Sequence, residues 1–562
     1  MLYVCPSSLY LAYHMNRLFS YGLLLSSVLY SGTSLAYNHA DTLRGSNGRG
    51  RAWWDVKSYN LLVKFDTAAH SIEGSNQIFF KISQTPADSM QIDLQRPMVL
   101  DSAYIIPNVY GSRKLKATIV NDGNVWWLKH NFSSLIKDSL SSVVLYYHGT
   151  PRKAVNPPWD GGFSWREDSA GNMVIAVSCQ GLGASVWWPC KDAQWDEPDQ
   201  GMHIDLNVPA GMSAISNGRL IADKTEDARR QVTWEVLNPI NNYDVTFYIG
   251  DYVHWSDTVM GEKGKLDLNF YVLRNNEERA KKQFEVVKQM IHCFEYWMGP
   301  YPFYEDGYKL VEAPYLGMEH QSAVAYGNGY MMGYKGMDRS MSGYGLKWDY
   351  IIIHESGHEW FGNSITAADM ADNWIHEGIT SYSEVLFTEC LLGKEKAWKY
   401  GWGLWSNIRN TYPVIGPYGV NDGGMGDIYE KGAAVIQMIR ILTNDDTKFR
   451  NMLRGLSSRF YHSIVTSAQV EQYIAEATGL KLAPFFDQYL RHTDMPALEY
   501  NISGNEISYR FSNVVPGFSL PLTISAGDKS ENLLVTDSWQ KKKWDGGYNV
   551  KFSKDFLIKV KK

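Results

Sequence analysis

Two histidines and two glutamates in the middle of the chain have the spacing of a metal-dependent hydrolase. His354-Glu355-x-x-His358 is followed, after 18 intervening residues, by Glu377. Residues four apart share one face of an α-helix, so the two imidazoles can bind one tetrahedral ion while Glu355 reaches its open position. Glu377 can complete a His-His-Glu set and leave one position for water or substrate. The pattern therefore predicts one zinc ion per chain, with Glu355 as general base.

The flanking sequence predicts two helices that would carry these ligands. The apolar run from Trp348 to Ile353 can bury the first helix, and Gly362-Asn363 is its predicted end. A second helix is predicted to begin near Asn373 and to present Glu377. His376, beside that ligand, is interpreted as a packing residue or a neighbour of the metal site. A structural helix with surface histidine and glutamate is the alternative.

Composition limits the classes of function. A chain of 562 residues is too long for one core, and its 14% aromatic content suits a folded enzyme with substrate clefts. The net charge of -6, without a long basic run, gives no electrostatic basis for a nucleic-acid partner. The lysine-rich stretches 541–543 and 559–562 are interpreted as solvated faces of edge strands.

Residues 1–36 are predicted to be a signal peptide. The apolar stretch from Leu23 follows Asn16-Arg17 and ends in Ser34-Leu35-Ala36, whose small residues suit signal peptidase. Met15 is the predicted true start, because it gives a leader of ordinary length. The stretch is short and interrupted by Ser and Gly, so an uncleaved anchor is the weaker alternative. We expect export to the periplasm or the medium, cleavage after Ala36 and no membrane span afterwards.

Four cysteines follow the predicted cleavage point, namely Cys179, Cys190, Cys293 and Cys390. So few cysteines exclude a dense disulfide framework. Buried free thiols are the expectation for all four. A bridge between Cys179 and Cys190 is the alternative.

Hydrophobic periodicity divides the chain after the leader into three units. Residues 37–252 contain short alternating or β-branched runs between turn residues, which predict an all-β domain. In residues 253–496 helical spacing dominates, beginning with the apolar residues between Phe284 and Met298, and predicts the catalytic domain. Residues 497–562 return to strand-like alternation. The predicted fold class is α+β and multidomain.

Together with the metal motif, three further segments resemble the gluzincin aminopeptidases, the group that contains alanyl aminopeptidases and leukotriene hydrolase. The segment Leu316-Gly317-Met318-Glu319-His320 looks like the family's Gly-x-Met-Glu-Asn exopeptidase motif. Ile428-Tyr429-Glu430-Lys431-Gly432 is similar to the segment that carries the family's catalytic tyrosine. Gln180 precedes Trp188-Pro189-Cys190 with the spacing of the family's substrate-amine residue before its Phe-Pro-Cys segment. The resemblance covers nearly the whole chain after the leader.

The resemblance implies a saddle-like N-terminal sheet domain, a thermolysin-like zinc domain and a small C-terminal β-sandwich-like module. This is a short three-domain form, without the long helical C-terminal domain of many relatives. The implied activity is hydrolysis of the first bond of peptides with a free α-amino group. Glu319 and Gln180 would bind the ammonium, Gly317 and Met318 would contact the substrate, and Tyr429 would donate a hydrogen bond to the oxyanion.

The chain departs from the family pattern beside its amine-binding motif. His320 stands where the family usually has Asn, and a charged imidazole there would compete with the substrate ammonium for Glu319. A neutral packing or hydrogen-bonding role is the alternative. Glu359 follows the second ligand where Gln is common, and Gln180 replaces the commoner Glu, as in the leukotriene hydrolase branch. Epoxide hydrolysis, a thermolysin-like endopeptidase and non-catalytic peptide binding are therefore the alternative functions.

Overall fold

The computed structural model describes residues 37–111, 113–135, 137–422 and 426–561. The predicted signal peptide, with Met15 and the cleavage point after Ala36, lies outside the described residues. Sheets occupy both ends of the described chain and helices dominate its middle, which confirms the predicted α+β multidomain class.

The N-terminal region is built from three sheets and one short helix. The largest sheet has eight strands in the order β13-β14-β11-β1-β2-β8-β4-β5, in which only β1 and β11 are parallel neighbours. The second sheet has the order β12-β15-β10-β9 and the third the order β3-β7-β6. The elements are α1 (His39–Gly45), β1 (Trp54–Asp66), β2 (Ser71–Ile82), β3 (Ser89–Asp93), β4 (Val99–Ile106), β5 (Leu115–Lys116), β6 (Thr118–Asp122), β7 (Val125–Lys129), β8 (Ser141–Gly149), β9 (Gly162–Glu167), β10 (Met173–Ser178), β11 (Met202–Pro209), β12 (Ser213–Ser216), β13 (Arg219–Glu226), β14 (Arg229–Val236) and β15 (Phe247–Gly250).

A five-stranded sheet joins this region to the helices. Its order is β16-β17-β18-β20-β19, formed by β16 (Tyr252–Gly261), β17 (Gly264–Leu273), β18 (Tyr308–Glu312), β19 (Gly317–Met318) and β20 (Val324–Tyr326). Successive side chains of a strand point to opposite faces. Leu310 and Val324 accordingly pack in the core of the helical region, whereas Val311 and Ala325 pack in the N-terminal core. The sheet is therefore buried on both faces, and β19 forms one of its edges.

Helices make up most of the region that follows. They are α2 (Glu277–Gln283), α3 (Val286–Met298), α4 (Tyr350–Gly357), α5 (Trp374–Leu392), α6 (Lys394–Leu404), α7 (Asp427–Thr443), α8 (Asp446–Arg459), α9 (Ser467–Thr478) and α10 (Ala483–Phe486), with a parallel strand pair β21 (Ile365–Ala367) and β22 (Ser463–Val465). Helices α5 and α7 cross at two glycines, since a Cβ built on Gly378 would lie 2.7 Å from the Cα of Gly432. Any larger residue at either position would push the two helices apart.

The C-terminal region contains two small sheets. The strands are β23 (Ala497–Ser503), β24 (Glu506–Ser512), β25 (Ser519–Ala526), β26 (Lys529–Thr536), β27 (Gln540–Lys543), β28 (Lys551–Phe552) and β29 (Lys559–Lys561), in the orders β27-β24-β23-β29 and β26-β25-β28. The lysine-rich strands β27 and β29 are the two edges of the first sheet. Edge lysines oppose pairing with further strands.

One disulfide corrects the expectation of free thiols. Cys293 on α3 and Cys390 on α5 are bonded, with their Cα atoms 6.1 Å apart. The two residues are 97 positions apart, so only the packing of α3 against α5 brings them together. Cys179 and Cys190 are buried free thiols, and the alternative bridge between them is absent.

No helix among the described residues combines the length and the apolar character that a membrane crossing requires.

Candidate metal and peptide-binding site

Helix α4 presents the first half of the metal motif. Its N-cap is Asp349, whose side chain accepts a hydrogen bond from the Ile351 amide at 3.0 Å. The helix ends at Gly357, earlier than the predicted end at Gly362, because the chain turns where Gly357 passes Ser383 of α5. His358 is the C-cap and keeps helical backbone angles, so it stays on the same face as His354.

His354, His358 and Glu377 converge as predicted from their spacing. Their ligand atoms lie within 4.8 Å of one another, and all three side chains are buried. Oε2 of Glu377 is 3.5 Å from Nε2 of His354 and 3.3 Å from Nε2 of His358, and it has no hydrogen-bond partner. Buried polar atoms are rarely left unpaired in folded proteins. Two imidazole nitrogens and one carboxylate oxygen are a donor set that fits zinc.

Neighbouring groups fix the orientation of both imidazoles. Glu384 Oε1 lies 2.8 Å from Nδ1 of His354, and the Tyr400 hydroxyl donates to the other oxygen of Glu384 at 2.5 Å. The backbone oxygen of Phe361 lies 3.0 Å from Nδ1 of His358. Each imidazole therefore directs Nε2 towards the metal position. The sequence analysis missed Glu384, although it follows Glu377 by seven residues, two helical turns, on the same face of α5.

The charges of this cluster favour a cation at its centre. Burial lowers the pKa of His354, but hydrogen bonds to Glu377 and Glu384 outweigh it and raise the pKa to about 10. Burial tends to raise the pKa of Glu377, yet the two imidazoles hold it well below the ordinary value. Both shifts stabilise the charged forms, which is the response expected of a site with excess negative potential.

Glu355 lies between the metal ligands and the edge strand β19. Burial raises the pKa of Glu355 to about 7, with the negative charge of Glu319 adding to the increase and His354 opposing it. A Cβ built on Gly317 would lie 2.7 Å from Oε1 of Glu355. Only glycine at position 317 leaves this carboxylate its place, and its backbone lies on the free edge of the sheet.

The Glu319 carboxylate is next to the metal ligands. Ligand atoms of Glu319, Glu355 and His358 form a second group within 4.8 Å of one another. Gln180 Nε2 donates to Oε1 of Glu319 at 2.7 Å and to Oε1 of Glu377 at 2.9 Å. The Tyr243 hydroxyl also donates to Oε1 of Glu319, at 3.1 Å. Gln180 therefore links the two halves of the site, and Tyr243 is a contact that no feature of the sequence indicated.

Tyr429 reaches the site because α7 crosses α5 so closely. Its ring stacks on that of His354, with centroids 6.0 Å apart and planes at 25°. Burial, followed by the negative charges of Glu377 and Glu319, raises the pKa of Tyr429 well above its ordinary value. The phenol therefore keeps its proton at neutral pH and can donate a hydrogen bond.

Three residues beside the site have other surroundings. His320 is fully buried, and its Nδ1 lies 2.8 Å from the Tyr248 hydroxyl, so it fits the alternative of a neutral hydrogen-bonding group. Burial lowers the pKa of His320 to about 3. The Met318 side chain packs in the N-terminal core, which leaves its backbone for a substrate. His376 accepts a hydrogen bond from the Ala367 amide at 2.7 Å and is not a metal ligand.

Comparison with known proteins supports this assignment. A model of the Peptidase family M1 domain matches residues 282–412, the segment that contains the ligands and Glu319. The chain is 21% identical over 388 residues to a probable aminopeptidase 1 of Sulfurisphaera tokodaii, covering 65% of this chain and 48% of that protein. It is 22% identical over 391 residues to a leucyl aminopeptidase of Saccharolobus solfataricus, covering 63% and 47%. The chain thus spans about half the length of these relatives.

Solved structures share the fold. The M1 zinc metallopeptidase of Deinococcus radiodurans, crystallised with a Tyr-Ser-Ala substrate, superimposes with a TM-score of 0.64 at 17% identity, over 80% of this chain and 96% of that chain. A two-domain M1 zinc metallopeptidase with bound L-tryptophan gives a TM-score of 0.63 at 18% identity, over 76% and 94%. Because the family model, the relatives and the fold agree on the segment that carries the metal-binding cluster, the chain belongs to peptidase family M1.

Proposed function

We propose that this protein is a zinc aminopeptidase, which removes the first residue from peptides with a free α-amino group. His354, His358 and Glu377 would hold one zinc ion. When bound, the ion would lower the pKa of a water molecule and polarise the scissile carbonyl. The curated relatives named aminopeptidases support the reaction class.

One observation carries the choice of an exopeptidase over an endopeptidase. The Glu319 carboxylate lies within 4.8 Å of ligand atoms of Glu355 and His358, and two donors hold it in place. A positively charged amine bound to this carboxylate would place the first peptide bond, and no later one, beside the metal position. A charge-assisted contact of this kind contributes about 1.5–3 kcal/mol. An endopeptidase has no use for such a carboxylate.

The side chains of this site divide the reaction between them. Glu319 binds the ammonium, with Gln180 holding the carboxylate towards the substrate. Glu355 accepts a proton from the attacking water and passes it to the departing amine. Tyr429 donates a hydrogen bond to the carbonyl oxygen as negative charge develops there. The edge of β19 at Gly317 offers backbone groups to an extended peptide.

Two variants test the assignments independently of each other. Glu355→Gln should retain zinc, measured by metal analysis, and lose turnover of an aminoacyl amide, because its amide cannot accept the proton. Tyr429→Phe should lower kcat by about 10²- to 10³-fold at unchanged zinc content, since it removes one oxyanion donor and almost no volume. A Glu355→Gln protein with most of its kcat would rule out this residue as the general base.

Blocked substrates distinguish the proposed function from its alternatives. An aminopeptidase should cleave Ala-arylamide and leave N-acetyl-Ala-arylamide intact, because acetylation removes the charge that Glu319 binds. Cleavage of internal bonds in blocked peptides would indicate an endopeptidase. Conversion of a lipid epoxide, assayed directly, would indicate the hydrolase branch to which Gln180 points.

We further propose that the protein is exported after cleavage behind Ala36. The disulfide between α3 and α5 supports this, because such bonds persist in oxidising compartments. Amino-terminal sequencing of protein purified from its native source should begin at Tyr37. A sequence that retains upstream residues would contradict the cleavage.

A further inference from the structure

A cleft of about 580 Å³, open to solvent, adjoins the amine-binding carboxylate. Its lining includes Gln180 and Tyr243, which both donate to Glu319, and Asn373, the residue before α5. The side chain of a substrate's first residue branches from the same carbon as its ammonium group. A cleft that begins beside the ammonium site is therefore where this side chain can go.

The segment Tyr37–Gly45, here called the N-terminal segment, forms the outer wall of the cleft. It is attached to the N-terminal sheets, because Arg51 donates to the backbone oxygen of Arg44 at 2.6 Å and Gln91 donates to that of Leu43 at 3.1 Å. It also contacts the loop before α7. The Asn421 amide donates to the backbone oxygen of Asp41 at 3.3 Å, and the Tyr37 hydroxyl donates to Asp422 at 2.8 Å.

Close packing fixes where this wall stands. A Cβ built on Gly45 would lie 2.2 Å from the carbonyl carbon of Val420, so the segment touches the loop backbone directly. The Arg44 guanidinium rests on Gly183, where a Cβ would lie 2.0 Å from its Nη2, and it faces the Asp192 carboxylate at 3.7 Å. Arg44, Gly45 and Gly183 all line the cleft.

Hydrogen-bond donors without partners surround the cleft. Nδ2 of Asn241 and Nε1 of Trp195 have none, and Asn241 is only 2% exposed. The Arg44 guanidinium adds donors that its single contact with Asp192 does not use up. Buried donors left unpaired are costly, so a ligand that supplies an acceptor oxygen is favoured over an apolar one. The carboxylates of Asp192 and Asp369 in the same lining disfavour an anionic ligand.

We propose that this cleft, closed by the N-terminal segment, receives the first side chain and selects peptides that begin with a neutral acceptor, asparagine or glutamine. Asn241 and Arg44 are the residues that determine this specificity. The inference rests on the proposed aminopeptidase function and adds its substrate class.

Asparagine and leucine, which have similar shapes, give the sharpest substrate pair. With one leaving group, kcat/KM of the zinc-loaded protein should be about five- to tenfold higher for the Asn arylamide, the value of one hydrogen bond. Equal rates, or a preference for Leu, in a protein that cleaves Ala-arylamide would overturn the inference and leave the proposed function standing. Failure to cleave any unblocked arylamide would instead refute the proposed function.

Asn241→Asp tests the donor itself. The side chain of Asn241 also accepts from the Tyr243 amide as an N-cap, and aspartate keeps that acceptor while it replaces Nδ2 with an oxygen. The Asn to Leu ratio should fall by about five- to tenfold, and Lys-arylamide should become a better substrate. An unchanged ratio at full zinc content would exclude Asn241. Asn241→Ser, which also caps, gives a second reading if the charge disturbs the fold.

Arg44→Ala tests the wall. The shorter side chain should lengthen the cleft and raise kcat/KM for Gln-arylamide relative to Asn-arylamide by a few-fold. Arg49→Ala is the matched control, because this exposed arginine belongs to the same stretch of chain and does not line the cleft. Identical ratios in Arg44→Ala, Arg49→Ala and the unmodified protein would show that the N-terminal segment does not limit the pocket.

Discussion

Replacement of His320 by asparagine should flatten the acid dependence of stability. In the folded protein burial lowers the pKa of His320 to about 3, whereas a free imidazole titrates near 6.5. The unfolded chain therefore binds a proton as the pH falls through about 6.5, and the folded chain does not. Stability contributed by the neutral imidazole is complete above that pH and decreases below it.

The size of the effect follows from the two pKa values. Each unit between the pH and 6.5 costs about 1.4 kcal/mol, so His320 should destabilise the fold by about 2 kcal/mol at pH 5. Asparagine does not titrate in this range. The variant loses the contact with Tyr248, worth about 1 kcal/mol at every pH, but it escapes the acid term. It should be the less stable protein at pH 7.5 and the more stable one at pH 5.

Urea unfolding at the two pH values measures this difference directly. Comparison of variant and unmodified protein at each pH cancels every other titrating group and any loss of metal. His254→Asn is the control, since this imidazole is exposed and its partner is Asn269. A stability difference that is the same at pH 7.5 and pH 5 would refute the buried neutral imidazole. In that case a charged His320 beside Glu319 would return as the explanation, and the acidic limb of kcat/KM should then change in the variant.

Three further predictions concern the metal site and its support. Gly317→Ala should reduce kcat by at least tenfold with zinc content unchanged, because the new Cβ displaces the Glu355 carboxylate; a normal kcat would contradict the contact. Glu384→Gln should weaken zinc binding by about 10- to 100-fold in a competition with a chelator, as it removes the charge that orients His354, and an unaltered affinity would dismiss that role. Reduction of the disulfide that joins α3 to α5 should lower stability by about 2–4 kcal/mol in thermal unfolding, whereas an unchanged midpoint would show that helix packing alone holds them.

Local chemistry made the metal ligands predictable. Two imidazoles four residues apart on a helix must share a face, and that geometry needs no tertiary information. The end of the first helix was less predictable, because the crossing of Gly357 over Ser383 stops α4 before Gly362. The disulfide was missed since its two cysteines, 97 residues apart, have no local pattern.

The neighbours of the ligands were also beyond the sequence. Glu384 shares a helix face with Glu377 and could have been proposed, whereas Tyr243 comes from a different region of the chain and has no spacing relation to Glu319. The role of His320 depended on what surrounds it, and burial against Tyr248 favours the neutral form.

The sequence by itself determined the chemistry of this protein, because residue type and short-range spacing specify a His-His-Glu donor set, a general base and the segments that resemble a known family. Only the tertiary structure decided how these groups meet. Glycines at the α5 and α7 crossing bring Tyr429 to the metal ligands, and Gln180 spans Glu319 and Glu377 from a separate sheet region. Such contacts join distant parts of the chain, and their energies depend on burial and packing that no local pattern encodes.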